Sequence, residues 1–159
     1  MNISALTASD NYFEDFVPGM VMRHARGKTV EAIENVLITN LVMNTAQAHF
    51  NEHTMKQHRF GQRLTFGGVT AALIIGLASQ DTAENALAEL ALDKIRFSNP
   101  VFHGDTLYAF TEVLAATPSD REDAGIVHFR HWGVKENDTV VFEGERRVLI
   151  KRRSHWAQR

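Results

Sequence analysis

Phe66-Gly-Gly-Val-Thr-Ala-Ala-Leu-Ile-Ile-Gly-Leu-Ala78 (FGGVTAALIIGLA) is the most apolar stretch of the chain, and its length decides what surrounds it. A bilayer-spanning helix takes about 20 apolar residues, and this run falls short. A shorter helix that is apolar on every side belongs inside a protein core. The pattern predicts a helix over roughly Val69 to Ser79, so the remaining chain has to supply its cover.

That cover lies downstream. Beyond Asp81 come four runs rich in β-formers, Ala86 to Ser98, Thr106 to Thr117, Ile126 to Lys135 and Thr139 to Lys151. Turn signals separate them: Asn99-Pro100, Gly104-Asp105, Pro118 to Gly125, and Glu136-Asn137-Asp138. The last run alternates as a half-buried strand does, through Val140, Phe142, Gly144, Arg146, Val148 and Ile150. None of the connections is long enough for a crossover helix, so the strands are expected to pair antiparallel.

Upstream, Pro18-Gly19 marks a turn before a strand over Val21 to Lys28. Thr29 is placed to cap a helix carrying Val30, Ile33, Leu37 and Leu41 on one face, which runs into Asn44-Thr45-Ala46. Residues 50 to 61 read as loop and a short helical turn ending at Phe60-Gly61.

One antiparallel sheet and one helix too apolar for water have a simple solution: the sheet curls around the helix. This is an α+β hot dog arrangement. One face of the helix and one sheet edge remain short of partners, so a homodimer with a continuous sheet, a double hot dog, is expected.

Composition narrows the function. At 159 residues the chain is expected to be a single domain over 1–159, with its core over about 11–152 and a basic tail over 151–159. Net charge is −2 and the pI about 6.4, without the basic footprint of a nucleic-acid binder. There is no cysteine, which excludes disulfides, a thiolate nucleophile and Cys-based zinc. MNISALTASDNYFEDF has neither a basic nor an apolar leader region, so a cytoplasmic location without membrane attachment is expected.

Four groups of residues could carry chemistry. His49, five residues after Asn44, ends the polar turn NTAQAHF (44–50); it reads as a general acid or base, or as a histidine satisfying local backbone groups. Gly67-Gly68 opens the apolar helix, where free N–H groups can hold an oxyanion, or where glycine merely permits close packing. His49, His53 and His58 with Glu52 show no HExxH spacing, so no metal site is expected. Lys151-Arg152-Arg153, with Trp156 and Arg159, reads as a solvated chain end or, less readily, as a phosphate contact.

Taken together these segments resemble the MaoC-like dehydratase family, which includes (R)-specific enoyl-CoA hydratases. That family's motif runs Asp-x-Asn-Pro-[Leu/Ile/Val]-His, with a Phe downstream and a His-Gly pair opening the central helix. The resemblance places His49 at the motif histidine, Phe60 at the downstream Phe and Gly67 at the glycine whose N–H polarises a thioester carbonyl. The hairpin PVFHGDTL (100–107) looks like the family's Gly-Asp turn, and the likeness covers roughly residues 11 to 152. Within the family, FGGVTAALIIGLASQDT, LDKIRFSNPVFHGDTLYAFTEVL and DAGIVHFRHWG look closest to the mesaconyl-CoA hydratase (β-methylmalyl-CoA dehydratase) branch.

The resemblance implies a hydro-lyase acting on a short branched or dicarboxylic enoyl-CoA, such as mesaconyl-CoA or itaconyl-CoA, with coenzyme A part of the substrate and no separate cofactor. The motif's Asp is Asn44 here, its Asn and Pro are Ala46 and Gln47, and the His before the glycine is Phe66. Asn can position a water but cannot take its proton, so His49 would carry the proton alone or with help from Glu52. A carboxylate at position 44 would repel a substrate bringing its own, and Arg63 is placed to bind that second carboxylate. The expected catalytic residues are His49, Asn44 and Gly67, with Glu52, Arg63, Gly68 and Phe60 assisting or binding substrate. Two other readings fit the same fold: an acyl-CoA thioesterase, and a non-catalytic acyl-CoA or acyl-carrier binding module.

Overall fold

A computed structural model describes residues 11–157. Five strands, β1 (Val21–Thr29), β2 (Ala86–Phe97), β3 (Thr106–Pro118), β4 (Ala124–Lys135) and β5 (Val140–Lys151), form one sheet in the order β1-β3-β4-β5-β2. Every neighbouring pair is antiparallel, as the short connections require. The helices are α1 (Ala32–Leu41), α2 (Glu52–Lys56), α3 (Gly67–Ala83) and the terminal turn α4 (Arg153–Trp156). The sheet curves around α3 in the hot dog arrangement.

Two packed clusters hold sheet and helix together. Phe16, Met22, Val113, Val127, Phe129, Val148 and Ile150 fill one end, with Phe16 edge-on to Phe129 at 5.1 Å. Val30, Ile74, Val101, Leu107, Ala109, Val141 and Phe142 fill the other. Ile74 of α3 seats directly on Gly133 of β4, where any side chain would collide with it. The far face of α3 stays open: Ala72 and Gly76 are exposed, as expected of a helix short of one partner.

α3 runs past the predicted Ser79 to Ala83, because its polar end is satisfied in the core. Asp81 Oδ2 lies 2.6 Å from His24 Nδ1 of β1, and both side chains are almost fully buried. His24 Nε2 meets Thr111 Oγ1 at 2.6 Å, and Thr111 Oγ1 meets His131 Nδ1 at 2.8 Å. This seam ties β1, α3, β3 and β4 together. Burial, with the Arg146 and His24 charges adding to it, pushes His131 down to about 3.

α1 departs from expectation. Its N-cap is Glu31, whose N–H donates to Glu34 Oε2 at 3.1 Å, while Thr29 Oγ1 pairs with Thr106 Oγ1 instead. The apolar stripe points outward, with Ile33, Leu37 and Leu41 exposed, and the buried helical residues are Asn35 and Thr39. Val30, expected on the same stripe, lies before the helix and is buried in the core. The inward face is selected by hydrogen bonding rather than by hydrophobicity: Thr39 Oγ1 donates to Asn35 O, and Asn35 anchors three other segments.

β2 is an edge strand with three register irregularities, and it exposes Leu90, Leu92, Ile95 and Phe97. An edge carrying that much apolar surface is a template for further pairing. The basic tail folds back on the chain's start. Arg153 pairs with Asp15, Arg152 stacks over Phe13, and Trp156 Nε1 donates to Asp123 O at 3.1 Å. Its cations are therefore matched to this chain's own acids and rings; Arg159 lies outside the described residues. No helix among the described residues is long and apolar enough to cross a membrane.

Candidate active site

The polar turn after α1 is built by its own side chains. Met43 adopts a positive φ of 57° and Asn44 N–H returns to Thr39 O at 2.9 Å, which turns the chain away from the helix axis. Asn44 Oδ1 accepts the Ala46 N–H at 2.9 Å, an Asx turn. One lone pair of its carbonyl oxygen thus serves the loop. A tight turn over Gln47–His49 then delivers His49, half-buried, toward the start of α3.

His49 Nδ1 lies 3.1 Å from Leu64 O. A carbonyl can only accept, so Nδ1 carries the hydrogen and Nε2 of the neutral ring carries a lone pair. The imidazole packs at 5.4 Å against the ring of Phe66, the N-cap residue of α3. His49 is therefore held beside the helix N-terminus with Nε2 outside this anchoring contact.

Gly67 and Gly68 form the first turn of α3, where N–H groups have no intrahelical acceptor and the helix dipole is positive. Both glycines also lie close under aromatic rings, Gly68 the more tightly. A Cβ on Gly67 would come within 3.2 Å of the Phe97 ring, and one on Gly68 within 2.5 Å of the Phe66 ring. Close packing and an anion-attracting N-terminus therefore coexist at this point. Phe97, at the end of β2 and more than half exposed, carries no local signal that singles it out in the sequence; it joins the free sheet edge to the α3 N-terminus.

The structure brings Glu52 and Arg63 together. Arg63 Nε donates to Glu52 Oε2 at 2.8 Å, which leaves the two outer nitrogens of the guanidinium beyond this contact. Glu52 is thereby tied to a cation rather than to His49. Phe60 packs edge-on against Phe102 at 5.8 Å, with the Arg59 guanidinium over its ring. His53 and His58 are exposed, and among the described residues no three His, Asp or Glu side chains converge to hold a metal ion.

Two residues that sequence reasoning misses organise the site. Asn35 is fully buried. Its Oδ1 accepts Phe66 N–H at 2.8 Å, which fixes the amide orientation. Its Nδ2 then faces His49 O at 3.1 Å, Leu64 O at 3.2 Å and His103 Nε2 at 2.9 Å. One side chain thus pins the His49 turn, the strand before α3, the α3 N-cap and the His103 turn. His103 belongs to the PVFHGDTL hairpin but contacts a residue 68 positions away, a partnership no local pattern announces. Burial and the nearby Arg63 charge lower its pKa, with Glu52 pulling the other way.

Comparison with known proteins bears on the family and the fold. The mesaconyl-CoA hydratase family model matches residues 4–152. The β-methylmalyl-CoA dehydratase of Chloroflexus aurantiacus is 38% identical over 138 residues, covering 85% of this chain and 39% of the relative. The MaoC-like dehydratase from Rhodospirillum rubrum superposes with a TM-score of 0.77 at 26% identity, covering 90% of this chain and 98% of that one. A Mycobacterium tuberculosis protein with a double hot dog fold superposes at 0.84 and 22% identity over 95% of this chain and 47% of its own, a likeness of fold. The chain spans less than half the length of the curated β-methylmalyl-CoA dehydratase and mesaconyl-CoA hydratases it matches. With a family model covering nearly the whole described fold, and with that fold wrapped around its characteristic helix, the chain belongs to the mesaconyl-CoA hydratase family of MaoC-like hot dog proteins.

Proposed function

We propose that this chain is a hydro-lyase that adds water reversibly to a short dicarboxylic enoyl-CoA of the mesaconyl-CoA type. The observation that carries this reading is the oriented His49: Nδ1–H is donated to Leu64 O, and the ring is packed against the N-cap of α3. In hydration, His49 Nε2 takes a proton from water as the water oxygen bonds to the β-carbon. The π electrons move onto the thioester carbonyl, giving an enolate whose oxygen is stabilised by Gly67 N–H. The imidazolium then returns its proton to the α-carbon, so one water is consumed and His49 ends neutral. Dehydration runs the same steps backwards.

Asn44 holds the water through its side-chain amide, while its carbonyl oxygen also braces the Asx turn. Arg63 offers its outer guanidinium nitrogens to the substrate's second carboxylate. Two copies pair along β2, whose exposed Leu90, Leu92, Ile95 and Phe97 are then covered, and Phe97 places the seam beside Gly67. Relatives about twice this length, and the double hot dog likeness, support such a pairing. The ion pairing of Glu52 disfavours the thioesterase alternative, which wants a carboxylate free to act near the helix.

Following the enoyl-thioester absorbance and the free thiol together during incubation with mesaconyl-CoA tests the reading. Loss of the double bond without thiol release is expected. Thiol release with the double bond intact would instead make the protein a thioesterase, and tight binding without either change would make it a binding module.

A further inference from the structure

The Gly104 turn carries a second imidazole that the mechanism above does not use. Leu64 and Phe102 form an isolated antiparallel bridge, and Thr65 N–H donates to Val101 O at 2.8 Å. In that register Arg63 lies opposite His103, and directly opposite residues of an antiparallel pair share a face. The turn is stiff: Gly104 has a φ of 95°, its N–H donates to Val30 O at 2.9 Å, and Phe102 N–H donates to Asp105 Oδ2 at 2.8 Å. His103 is half-buried and held in place by the fully buried Asn35.

Asn35 also sets the protonation pattern. Its Oδ1 is taken by Phe66 N–H, so its Nδ2 must donate, and His103 Nε2 must accept. The neutral ring then carries its hydrogen on Nδ1, on the side away from Asn35. His49 O and His103 Nε2 share the same Asn35 nitrogen, so they lie within about 6 Å of one another. The result is a fixed N–H donor next to a guanidinium, both close to the segment that holds the general base.

That arrangement suits one chemical group. In a β-carboxy enoyl thioester the carboxylate is bonded to the carbon that receives water. Whatever reads that carboxylate has to sit beside the base and contain a cation and an oriented neutral donor. We propose that His103, locked by Asn35 as the Nδ1–H tautomer, works with Arg63 as the specificity determinant for the substrate's free carboxylate. This deepens, and rests on, the hydro-lyase reading of the same site. It also gives Asn35 a second role: Leu64 O already accepts the His49 Nδ1–H, which leaves the two Asn35 N–H hydrogens for His49 O and His103 Nε2.

The test compares mesaconyl-CoA with crotonyl-CoA, which has the same kind of double bond and no second carboxylate. The variants are His103→Phe, which keeps ring volume and removes both nitrogens, and His103→Gln, which can accept from Asn35 and still donate. His103→Phe should raise KM for mesaconyl-CoA about tenfold to a hundredfold, the scale of a hydrogen bond to a charged group, and change crotonyl-CoA turnover less than about threefold. His103→Gln should recover most of the loss. An equal loss on both substrates from His103→Phe, or an unchanged mesaconyl-CoA KM, overturns the proposal and leaves the hydro-lyase reading standing. A wild-type protein that hydrates crotonyl-CoA but not mesaconyl-CoA removes the carboxylate site alone. One that hydrates neither removes the hydro-lyase reading, and this inference with it. Hydration of crotonyl-CoA by His103→Phe serves as the control for folding; if that variant does not fold, His103→Ala is read in the same way, a rise in KM for mesaconyl-CoA without one for crotonyl-CoA supporting the proposal and an equal or absent change opposing it.

Discussion

Two sets of histidines occupy opposite ends of α3, and they are built from similar parts for different ends. At the C-terminal end His24, Asp81, Thr111 and His131 form a chain of contacts between 2.6 and 2.8 Å with almost no exposure. At the N-terminal end His49 and His103 are anchored just as specifically, through Leu64 O and Asn35, but each is half-buried. Both His24 ring nitrogens are occupied, whereas His49 and His103 each have one ring nitrogen beyond these anchoring contacts. The remaining His131 nitrogen, Nε2, is buried away from any substrate, whereas the half-buried rings at the other end are within reach of one.

The comparison can be broken at either end. The largest stability effect belongs to the buried seam. Asp81→Ala strands His24 in the core and should cost about 3–5 kcal/mol, read by denaturant unfolding, while activity per folded molecule stays near wild type. An activity loss at constant folded fraction would mean the seam takes part in the chemistry after all.

Asn35 should couple what Asp81 keeps apart. Asn35→Ala removes the anchor of Phe66 N–H, the His49 turn and His103 at once. Stability should fall by about 1–3 kcal/mol. Hydration should fall about tenfold to a hundredfold in the molecules that still fold, because small displacements of a catalytic group are costly. A stability loss with normal kcat would reduce Asn35 to scaffold.

A graded, pH-dependent effect comes from His131. In the folded protein it stays neutral until about pH 3, whereas an unfolded histidine takes its proton near 6.5. The unfolded chain thus binds more protons between those values, and stability is lost as pH falls through that window. The slope reaches about 1.4 kcal/mol per pH unit at most. In His131→Leu that part of the pH dependence should vanish, as measured by melting profiles from about pH 7 down to 4. Asn44→Asp is expected to have the mildest effect. It should shift preference from mesaconyl-CoA toward crotonyl-CoA by about tenfold, the scale of modest like-charge repulsion in a partly solvated site. An unchanged preference would mean Asn44 faces away from the carboxylate.

The legible and illegible parts of the molecule divide along the same line. α3, the four downstream strands and their antiparallel pairing follow from local patterns: one apolar run and period-two alternation bounded by turn residues. His49 and Gly67 come forward through the family resemblance, since local pattern alone also allows a turn histidine and close-packing glycines. The orientation of α1 is not legible. Ile33, Leu37 and Leu41 have helical spacing and would be assigned to a core, yet Asn35 and Thr39 face inward. The burial of Asn35 depends on acceptors contributed by residues 49, 64 and 103, which no window of sequence around α1 contains. The end of α3 is hidden for a related reason, since Asp81 reads as a terminator until His24, 57 positions away, is seen to receive it. His103 stands in a recognisable hairpin, but its partners Asn35 and Arg63 are both distant in the chain, so nothing local gives it a role.

The central claim is that His49 is the base that moves the proton while the equally well-anchored buried histidines are scaffold. It is tested most directly by the kcat of His49→Gln on mesaconyl-CoA beside that of wild type, with thermal melting of both. The account predicts a loss of about a hundredfold to ten-thousandfold in kcat at nearly unchanged melting temperature, the usual contribution of a positioned general base. Hydration by His49→Gln at a rate close to wild type would contradict it.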